Sequence, residues 1–504
     1  DTYTIRLLFC DEKQSWDKFR VFVRSVDGKK ARGEGKTLCE FEMEVPADEL
    51  VIKEVTVHHE GKGLAVDFQG IDGGMYMVSG MEILCEREHS MEVLIPESPS
   101  DILPLVEEVM EKGETNPVEA LHRICRWMIA HQTPDGFLGD YDFSQRLWYT
   151  TSYPLRTFMA AYKLTGEEDY LDMATGLIDL FVSEQMPECS FTQSYRQKPT
   201  KDTSEEELDQ IRRKNWMNLA DIGSMVAALV TACQYVTGER KERYIRSARG
   251  YLDNWAARYR RPNGGYVNGW ICREAEWIYS VSTATTALSL ALFYRVTGEE
   301  KYLRLAEESA LFMVSGWSEK GPYMNWPFDN TYPGHPCLQA ATEFGDLFYS
   351  LESLSAVMSI TNSHEVRKAI FDAFHKYLFG EEGALNAKKG LPWWPIDNYW
   401  HMSKSAGMPI ILYDFIQYAD EMKADPEEVK RAKEEYETCC KYLCTPAYSK
   451  AIGVCADYYE GEAPFRNTSV LSWTGCAVAA TGFAGIAVAQ MVKPGLIYLN
   501  ESNC

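Results

Sequence analysis

Apolar residues recur along this 504-residue chain with two different spacings, and the change from one to the other divides it. Up to about residue 95 apolar and polar positions alternate in short, often β-branched runs: "TYTIRLLF", "FRVFVRSV", "EFEMEV", "VIKEVTVHH", "LAVDFQG" and "MYMVSGMEILCE". Breaks such as "VDGKKARGEGK" and "HEGKG" separate them. Alternation puts every second side chain on one face, so this pattern predicts a small antiparallel sheet or sandwich. His58 and His59, adjacent in one run, must then turn to opposite faces and cannot easily share a metal. The stretch "IPESPSD" at 95–101 marks the change of period. We therefore expect a β domain over 1–97 and a helical domain over 98–504.

From about residue 103 the spacing is helical, and a phrase repeats: "YKLTGEEDYL" at 162–171 and "YRVTGEEKYL" at 294–303. A third copy is "YVTGERKERYI" at 235–245, and a worn fourth is "SITNSHEVRKAI" at 359–370. The Gly or Asn after Thr stands at 166, 238, 298 and 362. Each copy follows an apolar segment ("PLRTFMAAYKL", "MVAALVTACQYV", "TTALSLALFYRV", "YSLESLSAVMSI") and precedes an amphipathic one that starts acidic. Gly or Asn suits the left-handed residue that ends a helix, and the Glu residues behind it suit the positive N-terminus of the next. The phrase is thus a tight turn joining a helix apolar all round to one with an exposed face. "PVEALHRICRWMIAHQ", "WHMSKSAGMPIILYDFIQYA", "DPEEVKRAKEEYETCCKYL" and "VLSWTGCAVAATGFAGIAVAQM" complete the count. Six inner helices ringed by six outer ones predict a mostly α protein, an (α/α)6 barrel of six helical hairpins behind the β domain. An open α-solenoid would have shorter repeats, of about 33–47 residues.

The charge balance narrows the partners. Lys+Arg number 51 against 74 Asp+Glu, a net charge of −23, which repels nucleic acid and anionic membranes but leaves room for one local basic pocket. No apolar run approaches the ~20 residues that span a bilayer. The first residues lack the basic start and apolar stretch of a secretory signal. We expect a cytoplasmic protein, with trimming of the start left open because residue 1 is not Met. Fourteen cysteines are scattered, the densest group being Cys439, Cys440 and Cys444 with Cys455 beyond. No C-x-x-C pair or nearby His supports zinc, so buried thiols, no metal and no cofactor are the expectation.

Candidate chemistry lies opposite the repeated turns. The long loops there, among them "PDGFLGDYDFSQRLWY", "RPNGGYVNGWICREAEWIY" and "KKGLPWWPIDNYWHMSKS", mix aromatic, acidic and amide residues. Sugar rings stack on aromatic faces while their hydroxyls need polar partners, so these loops suit a saccharide. Counting 17 residues back from each turn reaches Tyr149, Asp221, Val281 and Gly345, and 20 back reaches Arg146, Asn218, Ile278 and Thr342. Asp221 would stand at the funnel end of an apolar helix, where partial burial raises a carboxyl toward general-acid use; a helix cap is the competing role. Asp142, beside Asp140 and Tyr141, leads into the preceding inner helix. Asp142 and Asp221 form the expected catalytic pair. Asp140, Arg146, Trp148, Tyr149, Asn218, Trp270, Tyr279, Glu343, Trp394, His401, Lys404 and Trp473 are the expected substrate contacts.

The hairpin pattern, with "DGF" at 135–137, "WMNL" at 216–219 and the tyrosine-plus-TG turns, resembles the six-hairpin glycosidases. It is most similar to the unsaturated glucuronyl and rhamnogalacturonyl hydrolases, glycoside hydrolase families 88 and 105. Lys214 and Asn215 stand where those families carry an acid, and "EWIYSVST" at 276–283 replaces their W-A-R-G-type signature. The resemblance implies the barrel and carbohydrate chemistry. The expected function is hydrolysis of an oligosaccharide, uronic-acid-containing or a related plant or host glycan, by carboxylate acid/base catalysis. Two alternatives stay open: a polysaccharide or oligosaccharide lyase using a Tyr or His base, for which "DNYWHMSK" supplies Asn398, Tyr399, His401 and Lys404, and a non-catalytic glycan-binding barrel.

Overall fold

The computed structural model describes residues 2–9, 16–26, 36–45, 51–59, 63–70, 80–85, 116–130, 147–195, 203–207, 218–268, 277–319, 321, 325–327, 347–386, 402–444 and 477–500. The chain forms two compact units, Asp1–Val93 and Leu94–Cys504.

In the first unit each alternating run is a strand: β1 (Thr2–Phe9), β2 (Trp16–Val26), β3 (Lys36–Val45), β4 (Val51–His58), β5 (Gly63–Gly70) and β6 (Gly80–Cys85). They pair antiparallel in two sheets, ordered β4-β1-β6 and β3-β2-β5. Ile5, Leu7 and Phe9 with Val55 and Val57 share one core with Phe19, Val21, Val23, Met43 and Val45 of the other sheet. That is the sandwich which the alternation predicts. Arg6 lies opposite Glu54 on the outer face, an exposed ion pair worth at most about 1 kcal/mol. His58 is exposed and His59 is buried, so the two rings do point apart.

The second unit is helical. Its helices are α1 (Pro117–Ala130), α2 (Trp148–Thr165), α3 (Glu168–Ser183), α4 (Leu219–Ala232), α5 (Gly238–Gly250), α6 (Ser280–Thr297), α7 (Glu300–Ser315), α8 (Leu347–Ile360), α9 (His364–Phe379), α10 (Met402–Met422), α11 (Pro426–Cys444) and α12 (Ala477–Val492). The even-numbered helices are inner. In α6 every residue from Ser280 to Phe293 is buried, whereas α7 buries only the helical stripe Tyr302, Leu303, Ala306, Ser309, Ala310, Phe312 and Met313. Neighbouring inner helices pack in the cyclic order α2-α4-α6-α8-α10-α12, and α12 returns to α2. The ring is closed.

The repeated phrase makes the same bonds in both of its best copies. Gly166 and Gly298 take the left-handed conformation (φ 78° and 69°), and each donates its N–H to a tyrosine carbonyl, Tyr162 or Tyr294, at 2.7 Å. Thr165 and Thr297 bond the carbonyl four residues back and accept the N–H two residues on, from Glu167 and Glu299. Glycine is needed here for φ alone, since a side chain would meet nothing. Asn362, expected to be equivalent, does not adopt positive φ. There Thr361 Oγ1 accepts the Ser363 N–H at 3.0 Å, and Ser363 caps α9 by accepting the Val366 N–H at 3.3 Å, so side-chain capping replaces the left-handed residue.

The inner helices are not wholly apolar. Arg156 of α2 and Glu352 of α8 come from opposite sides of the ring and meet in the lumen, Nη1 to Oε1 2.7 Å, with side chains 2% and 0% exposed. Arg156 Nη2 also donates to the Ile497 carbonyl at 3.2 Å, tying in the segment after α12. Burial pushes the Glu352 carboxyl up, opposed by Arg156. It also pushes Asp414 of α10 up to about 7, opposed by Ser355 of α8.

Two predictions follow from this buried layer. Replacing Glu352 by Gln leaves Arg156 unpaired, and urea denaturation should show a loss of about 3–5 kcal/mol; Arg156→Met with Glu352→Leu together should lose clearly less than either single change. Asp414 has a raised folded pKa, so it binds a proton in the native state where the unfolded carboxyl has lost it. Stability should therefore fall as pH rises from about 4 to about 7. Asp414→Asn should abolish that part of the fall in melting temperature, so the variant gains on the parent across this window and not above it.

Candidate active site

Every described inner helix begins at the end of the barrel that receives the long connections, opposite the tight turns. At that mouth Asn218 sits just before α4 in extended conformation, and its Oδ1 accepts the Asp221 N–H at 2.7 Å. Asn218 is therefore the cap of α4, and Asp221 is the residue three on. Asp221 is the one residue of α4 that is not fully buried. Its Oδ2 accepts from Asn218 Nδ2 at 3.0 Å and, in a short bond, from Gln193 Nε2. Burial raises the Asp221 pKa, and the two amide donors oppose the rise by stabilising the charged form.

The surrounding loops are built to hold this carboxyl. Gln193 lies in the segment between α3 and α4, whose backbone is clamped to the start of α2: the Trp148 N–H donates to the Gln193 carbonyl at 2.9 Å, and Leu147 bridges Ser194. Asn268 joins the next hairpin, its Oδ1 accepting from the Ala220 N–H at 2.9 Å and from Ser282 Oγ at 2.7 Å. A two-stranded ribbon, β7 (Trp277–Tyr279) with β8 (Asn325–Pro327), joins the loops of two hairpins. With both amides on Oδ2, the arrangement can present a carboxyl of raised pKa to the mouth, the requirement for proton donation.

No protein-family profile and no curated protein matches the chain. Solved structures do. The GH76A α-1,6-mannanase of Salegentibacter sp. HEL1_6 superposes with a TM-score of 0.50 at 11% identity, covering 75% of this chain and 100% of that one. The fold is the six-hairpin barrel. A GH76 α-mannanase of Bacteroides thetaiotaomicron aligns with a TM-score of 0.47 at 14% identity, over 75% of this chain and 97% of that one. A family 105 glycoside hydrolase of C. acetobutylicum aligns with a TM-score of 0.41 at 13% identity, over 68% and 94%.

Within this six-hairpin barrel, Asp221 and Asn218 are brought together as described. Trp148, expected to contact substrate, is fully buried and packs edge-on against Phe181 and Tyr195, with ring centroids 4.9 and 4.3 Å away. From the first turn of α2 its ring meets the outer helix α3, whose Phe181 covers it together with Tyr195. Tyr149 is half-buried against the core. Tyr279 ends β7 and Lys404 lies in the first turn of α10. Asp140, Asp142, Arg146, Trp270, Glu343, Trp394, His401 and Trp473 lie outside the described residues. Gln193 went unnoticed in the sequence, where a single Gln in "CSFTQSY" carries no periodicity or spacing signal.

Of the cysteine group, Cys439, Cys440 and Cys444 stand at the end of α11, and Cys455 lies outside the described residues. Cys439 and Cys444 are buried thiols, and burial pushes Cys440 up to about 11 and Cys444 up to about 12. Among the described residues no cluster of three His, Cys, Asp or Glu could hold a metal, and no helix is long and apolar enough to cross a membrane.

Gln193 donates to the Asp221 carboxyl, and its removal has a signed consequence. Gln193→Leu takes away a donor that favours the charged carboxylate, so the Asp221 pKa should climb further and the basic limb of the kcat/KM profile should move to higher pH. An unchanged limb would show that Asp221 does not govern it.

Proposed function

We propose that the protein is a glycoside hydrolase that cleaves an oligosaccharide at the open end of the barrel, with Asp221 as the general acid. The observation that carries this reading is the half-buried Asp221 carboxyl of raised pKa, anchored through one oxygen by two amides on an otherwise fully buried helix. The architecture supports it, because this fold gathers the long loops at the end where Asp221 stands.

In the reaction Asp221 gives its proton to the glycosidic oxygen as the C–O bond breaks, and the leaving sugar departs as an alcohol. A second carboxylate either takes a proton from the attacking water or attacks the sugar itself before water does. Asp142 is our assignment for that role, since the short segment 142–147 links it to α2, the ring neighbour of α4. A uronic acid in the substrate is the finer part of the proposal, following from the likeness to families 88 and 105 in the hairpin turns.

Asp221→Asn should lower kcat by about 10²–10⁴ with KM little changed, and Asp142→Asn should do the same. Reducing ends released from a panel of neutral and uronate-containing oligosaccharides measure it. The ultraviolet band of unsaturated uronates, followed in the same reactions, reads the chemistry. It stays flat for hydrolysis of a saturated chain, falls for hydrolysis of an unsaturated uronide and rises for elimination. A rising band would replace the hydrolase reading by the lyase, and full activity in both variants would remove the carboxylate assignment.

A further inference from the structure

The closed end of the barrel holds a groove of about 610 Å³ between the first two hairpin turns and the C-terminal segment, lined by Tyr162, Lys163, Gln234, Tyr235, Leu496 and Asn500. It is on the face opposite Asp221. Three features set it apart from a gap left by packing.

The first is a departure from the repeat. Counted in chain order, copies one (162–171) and three (294–303) read Tyr-Lys or Tyr-Arg ahead of the turn, and their tyrosine hydroxyls donate to the second Glu, Tyr162 to Glu168 at 3.4 Å and Tyr294 to Glu300 at 3.3 Å. Copy two reads Gln234-Tyr235, which moves the aromatic one position along. The backbone changes with it. α4 stops at Ala232, and Cys233, Gln234 and Tyr235 form a tighter end whose N–H groups bond carbonyls three residues back, at 3.1, 3.1 and 3.0 Å. The result brings the Tyr235 ring to Tyr162, with centroids 6.0 Å apart and planes at 69°. Nothing in the turn itself requires this, since copies one and three close without it.

The second feature is the wall on the other side. After α12 the chain turns back through Gly495, at φ 85°, and Leu499, at φ 57°. A left-handed leucine costs about 1–2 kcal/mol, so the surrounding structure holds it there. The Gly495 N–H donates to Gln490 Oε1 at 2.8 Å and the Asn500 N–H to the Gly495 carbonyl at 3.1 Å. These bonds set Leu496, Leu499 and Asn500 along the groove.

The third is the chemistry of the lining. The half-buried rings of Tyr162 and Tyr235 offer faces for sugar C–H groups, over a floor that the buried Leu496 and Leu499 keep apolar. The amides of Gln234 and Asn500 each carry a donor and an acceptor that match adjacent hydroxyls. Among the described residues Lys163 is the only cation of the lining, and Glu168 stands beside Tyr162. On a chain of net charge −23 this favours a neutral ligand over a polyanion.

We propose that this groove is a second saccharide-binding site, which holds a neutral stretch of a glycan chain at the face remote from cleavage. It rests on the carbohydrate reading of the protein but not on Asp221 or on the reaction type.

Affinity electrophoresis through gels containing yeast mannan, hydroxyethyl cellulose or polygalacturonate tests it. The Asp221→Asn protein is used throughout, so no probe is consumed. At least one of the two neutral polymers should retard the protein. Tyr235→Ala, and separately Gln234→Ala with Asn500→Ala, should weaken that retardation about tenfold, while Tyr235→Phe keeps it. In the otherwise wild-type enzyme the Gln234 and Asn500 changes should leave turnover of a short oligosaccharide unchanged. Retardation equal in parent and variants, none by any polymer, or retardation by polygalacturonate alone would overturn the site. A parallel loss of turnover would do so too, by showing a structural effect. The readout needs no activity, so an Asp221→Asn change without effect on turnover would count against the proposed reaction and not against this groove.

Discussion

The return of α12 to α2 is the contact on which the rest of the helical unit depends. These helices lie more than 300 residues apart in sequence, and they approach closely because α12 presents glycine at the seam. A side chain at Gly482 would stand 2.5 Å from Pro154 Cδ, and one at Gly485 would strike Thr157. Thr157 Oγ1 uses the closeness to donate to the Gly482 carbonyl at 3.0 Å. If the seam opened, the lumen would become a groove, Arg156 and Glu352 would be wetted, and the axis would lose the pairing of opposite helices. Non-local closure of this kind rewards the chain only after most of the hairpins have formed, since it must first offset a long loop's entropy.

The closed ring then separates two kinds of end. At one, short turns repeat the same hydrogen bonds, and Gly166 and Gly298 serve backbone geometry alone. At the other, connections are long and each inner helix begins differently. α4 shows what that freedom permits: a cap, a carboxyl and a donor from a distant loop meet at one oxygen. The ring supplies the burial that raises this carboxyl's pKa, and the loops supply the amide partners that oppose the rise. The repeated turn bonds and the Asp221 cluster thus stand at opposite ends of the same helices.

Much of this was legible in the residues. Alternation over 2–9, 19–26 and 51–59 marked strands, and the TG phrase marked hairpins, because both signals are local and periodic. Counting back from a turn placed Asp221 in the first turn of its helix, a ruler that works where a helix is regular. What was missed is non-local. Arg156, Glu352 and Asp414 sit singly in segments that read as apolar, and only the ring's closure brings Arg156 to Glu352. Trp148 was grouped with the loop aromatics, yet it is the first residue of α2 and its indole is sealed under Phe181 and Tyr195. Gln193 had no pattern to betray it. Asn362 matched the glycines in sequence but not in φ, since Thr361 and Ser363 offered the backbone another way to turn.

The central claim is that a sugar is cleaved beside Asp221 at the mouth of a closed ring. A crystal structure of the Asp221→Asn protein with a bound oligosaccharide tests it most directly. The account predicts a glycosidic oxygen within hydrogen-bond reach of the side chain at position 221, with Gln193 and Asn218 still on its other atom. A productive complex in which no glycosidic oxygen lies near position 221 would contradict it.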